Sequence, residues 1–145
     1  MKLVVDTNVL IAGLLKDSAT RKILLHPLFH LSVPECAFDE IERHKDELLE
    51  KSGLTKHGFH QILDGLKRRL ENVPMQDFAS FYPTALELMK NIDETDAPFI
   101  ALALSFENDG VWTNDVHFER QQKVRIWSTD ELMAELEAME EDAHY

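Results

Sequence analysis

Asp6, Glu40, Asp96 and Asp115 are acidic residues that each border a stretch apolar enough to be buried. Asp6 follows directly on Leu3-Val4-Val5, and Asp115 lies just past Val111-Trp112. Asp96 stands before Pro98 and the run Phe99-Ile100-Ala101-Leu102-Ala103-Leu104; its one-turn spacing to Ile100 places it above that helix's core face. Glu40 directly precedes Ile41, beside the seam Ala37, Ile41 and Leu48. Singly, each has a plain structural use: Asp6 and Asp96 as helix caps, Glu40 as a solvated helix residue, Asp115 as a turn residue beside Asn114. Gathered in one cleft they would raise one another's pKa values and call for cations. Mg2+ or Mn2+ prefers oxygen ligands, keeps several waters and takes one or two carboxylates each, so four acids suit one or two ions. A bound ion of this kind activates water and offsets charge on phosphoryl oxygens during in-line displacement.

The elements that must position these groups follow from the apolar patterning. Leu3 to Val5 reads as a buried strand and Val9 to Leu15 as a helix leaving it. Ser18 or Thr20 caps a second helix that Pro27 stops. Phe29 to Val33 alternates like a half-buried strand, and Pro34 opens one helix running from Glu35 to Lys51 and ending at Ser52-Gly53. Phe59, Ile62, Leu63, Leu66 and Leu70 share one face of a helix over Lys56 to Leu70, whose last turn holds Lys67, Arg68 and Arg69. Residues 72–82, where Pro74 and Pro83 fence the aromatic stretch Phe78, Phe81 and Tyr82, carry no clear period. Thr84 to Asn91 reads as helix, and Phe99 to Leu104 as one apolar on every side and therefore buried. Val111-Trp112 and Val124 to Trp127 are short strands, and Ser128 or Thr129 caps a last helix through Leu132, Leu136 and Met139. Strands alternating with helices imply a parallel sheet covered on both faces. Ligands of such sheets bind beyond the carboxyl ends of the strands, where Asp6 and Asp115 stand.

The 145 residues suit a single domain with its own core. Cys36 is the lone cysteine, so neither an internal disulfide nor a thiolate zinc site is available, as in a reducing compartment. Met1-Lys2 leads straight into a strand without an apolar leader, and no segment is long enough to span a bilayer; a cytoplasmic protein is expected. The seven histidines form no HExxH, and no GxxxxGK[ST] is present. Asn8 occupies the place where a haloacid-dehalogenase-like phosphatase carries its second aspartate. The net charge of −12 argues against a nucleic-acid partner until its distribution is considered. Residues 129–145 hold Asp130, Glu131, Glu135, Glu137, Glu140, Glu141 and Asp142 with no Lys or Arg, forming an acidic C-terminal helix and tail. With four further carboxylates neutralised by metal, the remaining body is close to neutral. Lys16, Arg21 and Lys22, or Arg120, Lys123 and Arg125, are the candidate phosphate contacts.

Val4-Val5-Asp6-Thr7-Asn8-Val9-Leu10, Asp39-Glu40-Ile41, Asp93-Glu94-Thr95-Asp96-Ala97-Pro98-Phe99-Ile100-Ala101-Leu102-Ala103-Leu104 and Trp112-Thr113-Asn114-Asp115-Val116-His117-Phe118 together resemble the PIN domain family, in the family's order and over nearly the whole chain. The resemblance implies a three-layer α/β/α sandwich around a small parallel sheet and a Mg2+- or Mn2+-dependent ribonuclease that hydrolyses RNA phosphodiester bonds. Asp6, Glu40, Asp96 and Asp115 match its four acidic positions, with Asp39, Glu42 and Glu35 as alternatives to Glu40. Asn8 and Thr113 match its supporting polar residues, and Asp93 offers a further carboxylate. Many small members are VapC-like toxins silenced by an antitoxin, and many form homodimers. A PIN-like domain that binds RNA or protein without cutting is the alternative.

Overall fold

The computed structural model describes residues 1–15 and 18–143. Its centre is a five-stranded, wholly parallel sheet in the order β3-β2-β1-β4-β5, made of β1 (Lys2–Val5), β2 (His30–Pro34), β3 (Glu71–Val73), β4 (Val111–Trp112) and β5 (Ile126–Trp127). Between β1 and β2 run α1 (Thr7–Leu15) and α2 (Ser18–Leu24); between β2 and β3 run α3 (Glu35–Arg43), α4 (Lys45–Ser52) and α5 (Lys56–Arg69). The chain then returns through α6 (Tyr82–Met89) and α7 (Ala97–Ser105) to β4, and α8 (Thr129–Asp142) follows β5. Right-handed crossovers put α1 to α5 on one face, because β1 to β3 step one way, and α6 and α7 on the other, because the next step reverses. This is the expected α/β/α sandwich.

Leu3, Val4 and Val5 are inaccessible to solvent, as a strand covered on both faces requires. Ile100 and Ala101 of α7 are equally buried where that helix packs on β1, β2 and β4. Three expectations change. Phe29 to Val33 was expected to be half-buried, but Leu31, Ser32, Val33 and Pro34 are all buried, because β2 lies inside the sheet under helices on both sides. The single helix expected from Glu35 to Lys51 is broken at His44 (φ −105°, ψ 14°). From Glu42 to Glu47 no apolar side chain holds that turn to the core, so α4 re-anchors only at Leu48. It ends as expected at Ser52, with Gly53 left-handed at φ 66°. The unassigned stretch begins as the edge strand β3, whose Glu71 and Asn72 are exposed, a composition that protects an edge.

Among the described residues, no helix is long and apolar enough to cross a membrane. Ser128 caps α8: its hydroxyl accepts the Glu131 N–H at 3.1 Å, and the Glu131 carboxylate accepts the Ser128 N–H at 3.0 Å. Ser128→Ala is expected to cost about 1 kcal/mol, lowering the thermal midpoint by ~2–4 °C in a denaturation scan.

Candidate active site

The order of the sheet reverses between β1 and β4, so a crevice opens beyond their carboxyl ends. Register decides what enters it. Val5 pairs with Trp112 and the Asp6 N–H bonds to the Trp112 carbonyl at 3.0 Å, so the next residues, Asp6 and Thr113, leave their strands side by side. The Thr113 hydroxyl donates to Asp6 Oδ2 at 2.8 Å and accepts the Asp115 N–H at 3.0 Å, tying the two acidic loops together. Asp115 in turn caps the short 3-10 turn Val116–Arg120 by accepting the His117 N–H at 2.9 Å, with the His117 ring 3.4 Å from the same oxygen. The loop is pinned from behind: Trp112 Nε1 and Asn114 Nδ2 both donate to Thr129 Oγ1, at 3.0 and 2.9 Å, and Asn114 Oδ1 accepts the Thr129 N–H.

Two further elements complete a pocket of about 270 Å³. Cys36, Glu40 and Arg43 recur at helical spacing along the face of α3 that lines it. Thr95, Asp96, Pro98 and Phe99 come from the start of α7, and Asp6, Thr7 and Asn8 from the end of β1. Pro98 sits in the first turn of α7, where its missing N–H costs nothing. Asp96 occupies the cap position of that helix yet makes no capping hydrogen bond, and its Oδ2 is buried with no hydrogen-bond partner. Asp93, by contrast, is engaged, accepting both the Thr95 N–H at 3.0 Å and the Thr95 hydroxyl at 2.6 Å.

The acids feel one another. Burial first, and then the charges of Asp6, Asp93, Asp115 and Glu40, push the Asp96 carboxyl up to about 7. Asp6 is raised by burial above all; the Thr113 hydroxyl pulls it back, and Asp115 adds a smaller upward push. Burial, then Glu40, also raises the Cys36 thiol, which therefore stays neutral and adds no charge at pH 7. Folding thus holds a proton on Asp96 that the unfolded chain releases near 3.8. That contribution to stability is full below the unfolded value and is lost as pH rises through about 7. Asp96→Asn removes the loss. At pH 8 without divalent ions the variant is expected to be about 1–2 kcal/mol more stable than wild type, after allowance for solvent screening of a half-buried group. Melting curves at pH 5 and pH 8 check this, since the gain should shrink at the lower pH.

Of the sequence candidates, Asp6, Glu40 and Asp96 share the pocket walls with Asn8, while Asp115 stands beside it, close enough to affect two of them electrostatically. The alternatives to Glu40 are used elsewhere: Glu35 accepts the Met75 N–H at 3.0 Å, Glu42 pairs with Lys67 and Lys45, and Asp39 lines a separate groove. Among the described residues, no three His, Cys, Asp or Glu side chains stand close enough to enclose an ion as placed. The basic candidates disperse. Arg21 donates to the Gly13 and Leu14 carbonyls, ending α1. Lys123 and Arg125 line a cleft with residues 103–104 and 106–110, on the amino-terminal side of β4 and β5, and Arg125 stacks on Trp127 at 3.9 Å. Lys16 lies outside the described residues. Arg69 holds the carbonyls of His26 and Phe29, so the basic end of α5 is partly structural. Arg43, which the patterning did not single out, is the cation that lines the acidic pocket; its spacing from Glu40 on α3 was the available signal.

The family model described as PIN domain matches residues 4–137. Among solved structures, the chain is similar to a chain in the crystal structure of VapBC2 from Rickettsia felis bound to a DNA fragment from their promoter. That likeness has a TM-score of 0.67 and 18% identity, covering 88% of this chain and 98% of that one. No curated protein sequence matches. The family match spans both strands and both helices that build the pocket, and on that ground the chain belongs to the PIN domain family.

Proposed function

We propose that the protein is a Mg2+- or Mn2+-dependent endoribonuclease. The observation that carries this reading is Asp96: a carboxylate with one buried oxygen left without a partner, in a pocket shared with Asp6 and Glu40 and bordered by Asp115. An oxygen-only cluster with a vacant lone pair fits a hard divalent ion. Such ions retain waters and need only one or two protein carboxylates, so a site that encloses no ion with three side chains still suits them. Asp6, Glu40, Asp96 and Asp115 would hold the metal. When bound, it supplies an activated water and neutralises phosphoryl charge.

The chain's own residues do the rest. Thr113 fixes one oxygen of Asp6 through its hydroxyl and holds the Asp115 backbone in place. Asn8, exposed at the mouth, offers an amide to the incoming RNA. Asp93, held by Thr95, adds negative charge beside Asp96 without entering the pocket wall. Likeness to a VapBC2 complex supports a toxin restrained by an antitoxin protein; a homodimer in the cytoplasm belongs to the same proposal.

The second reading, a domain that binds RNA or protein without cutting, is favoured by the absence, among the described residues, of three groups converged on one point. Incubating the full chain with single-stranded RNA in Mg2+, in Mn2+ and in EDTA separates the two. Cleavage only with metal supports the nuclease, and intact RNA under all three conditions rejects it.

A further inference from the structure

Arg43 closes the last turn of α3 and lines the same pocket as Asp6, Glu40 and Asp96. Its position alone has a plain explanation, because a cation at a helix carboxyl end complements the dipole. Its surroundings ask for more. Two neighbouring acids are already engaged, Glu42 with Lys67 at 3.2 Å and Lys45 at 3.7 Å, Glu47 with Lys51 at 2.9 Å and His44 at 3.8 Å, and among the described residues Asp39 and Asp46 reach no cation within ion-pair distance. Glu40, one turn earlier on the same face, does not come within ion-pair distance, so among the described residues no carboxylate neutralises Arg43. An exposed, unpaired guanidinium therefore stands on the wall of a pocket whose other charges are all negative.

Without metal, an RNA phosphodiester entering that pocket meets repulsion from every charged wall except this one; with metal on the acids, this remains the one side chain of the wall that attracts it. The guanidinium fork matches two phosphate oxygens at once, which a lysine cannot do. Resting on the nuclease reading above, we propose that Arg43 is the phosphate-binding side chain of the pocket, seating a phosphodiester of single-stranded RNA beside the bond that is cut. The acids hold metal and Arg43 holds substrate.

The test compares wild type with Arg43→Gln, Arg43→Lys and Arg68→Gln. Arg68 is an exposed cation at the end of α5 that lines none of the pocket, so its variant makes the same change in net charge elsewhere. Two readouts are taken: Mn2+-dependent cleavage kinetics, and binding of a short fluorescein-labelled single-stranded RNA by anisotropy, with Ca2+ in place of Mn2+. Arg43→Gln is expected to raise KM and weaken binding about tenfold while kcat falls less than about threefold, as loss of a ground-state contact requires. Arg43→Lys should fall between, keeping the charge and losing the fork. The slope of log affinity against log salt should shrink by about 0.7, one phosphate contact on a single strand. Arg68→Gln should behave as wild type.

Unchanged KM and binding in Arg43→Gln, an equal loss in Arg68→Gln, or a lowered melting point with KM preserved would each overturn the proposal. The two readings fail separately. Wild type that cuts RNA, with an Arg43→Gln variant as good, rejects the phosphate contact and leaves the nuclease standing. Wild type that does not cut, with binding still lost in Arg43→Gln, rejects the nuclease and keeps the contact.

Discussion

Asp6→Asn is expected to lower metal-stimulated cleavage of single-stranded RNA by on the order of 10²–10³-fold in kcat/KM while leaving the fold intact. The fold survives because most of what holds residue 6 in place is main chain, and the amide gives up only one of the carboxylate's two acceptors toward the Thr113 hydroxyl and the Asn8 and Thr7 N–H groups. The N–H of residue 6 bonds to the Trp112 carbonyl at 3.0 Å, and its carbonyl accepts the Val9 and Leu10 N–H groups at 3.0 and 3.3 Å. An asparagine oxygen can still accept the Thr113 hydroxyl proton. What is lost is the charge, which burial already makes costly in the absence of a cation. Stability should therefore hold or rise while activity collapses. Gel assays in Mn2+ and circular-dichroism melting on the same preparation provide both measurements. Cleavage by the variant equal to wild type would place the chemistry elsewhere and reject the acidic pocket as the catalytic site.

Gly110→Ala is expected to do the reverse, costing about 3 kcal/mol or more in stability and lowering the thermal midpoint by ~10 °C. Gly110 has φ +130°, a conformation side chains rarely adopt, and a Cβ there would lie 2.2 Å from the Arg125 carbonyl oxygen. That oxygen accepts the Val111 N–H at 2.9 Å, which begins the pairing of β4 with β5, and the Gly110 carbonyl accepts the Val4 N–H from β1 at 3.0 Å. One methyl group therefore wedges apart three strands at the end of the sheet opposite the acids. A denaturation curve of the purified variant checks this. A midpoint within a degree or two of wild type would mean that β5 can shift without disturbing β4.

Much of this architecture could be read from residue patterns, and the exceptions share a cause. Short strands such as Leu3 to Val5, and the uniformly apolar α7, announce themselves because burial on every side leaves no polar position. Asp6, Asp96 and Asp115 were legible as candidates because each adjoins such a segment, whereas Glu40 stands within the amphipathic α3, beside Ile41. β3 was not, since three residues of an exposed edge carry no pattern of their own and exist as a strand only through pairing with β2. Ser32 misled for the opposite reason: a small polar side chain fits inside the sheet, so its alternation with Leu31 and Val33 did not signal a solvent face. The break at His44 reflects missing anchors rather than a breaker residue, which helix propensity does not register. Lys123 and Arg125 follow the last acid closely in sequence yet stand on the far side of the strand they flank, because a strand carries its neighbours to opposite edges of the sheet. That Lys67 engages Glu42 while Glu40 lines the pocket is tertiary information, which residue patterns do not carry.

Thr129 Oγ1 receives two donors, the Trp112 indole and the Asn114 amide, while its own N–H goes to Asn114. Losing the Thr129 hydroxyl strands the buried Trp112 indole N–H, and losing the Asn114 amide oxygen strands the Thr129 N–H, whereas losing the indole leaves the hydroxyl bonded to Asn114. Divergent sequences that keep this architecture but lose the hydroxyl at 129 should consequently change position 112 as well. The acidic carboxyl-terminal helix is thus bound into the inheritance of the loop that carries Asp115, whatever freedom its outward-facing glutamates enjoy.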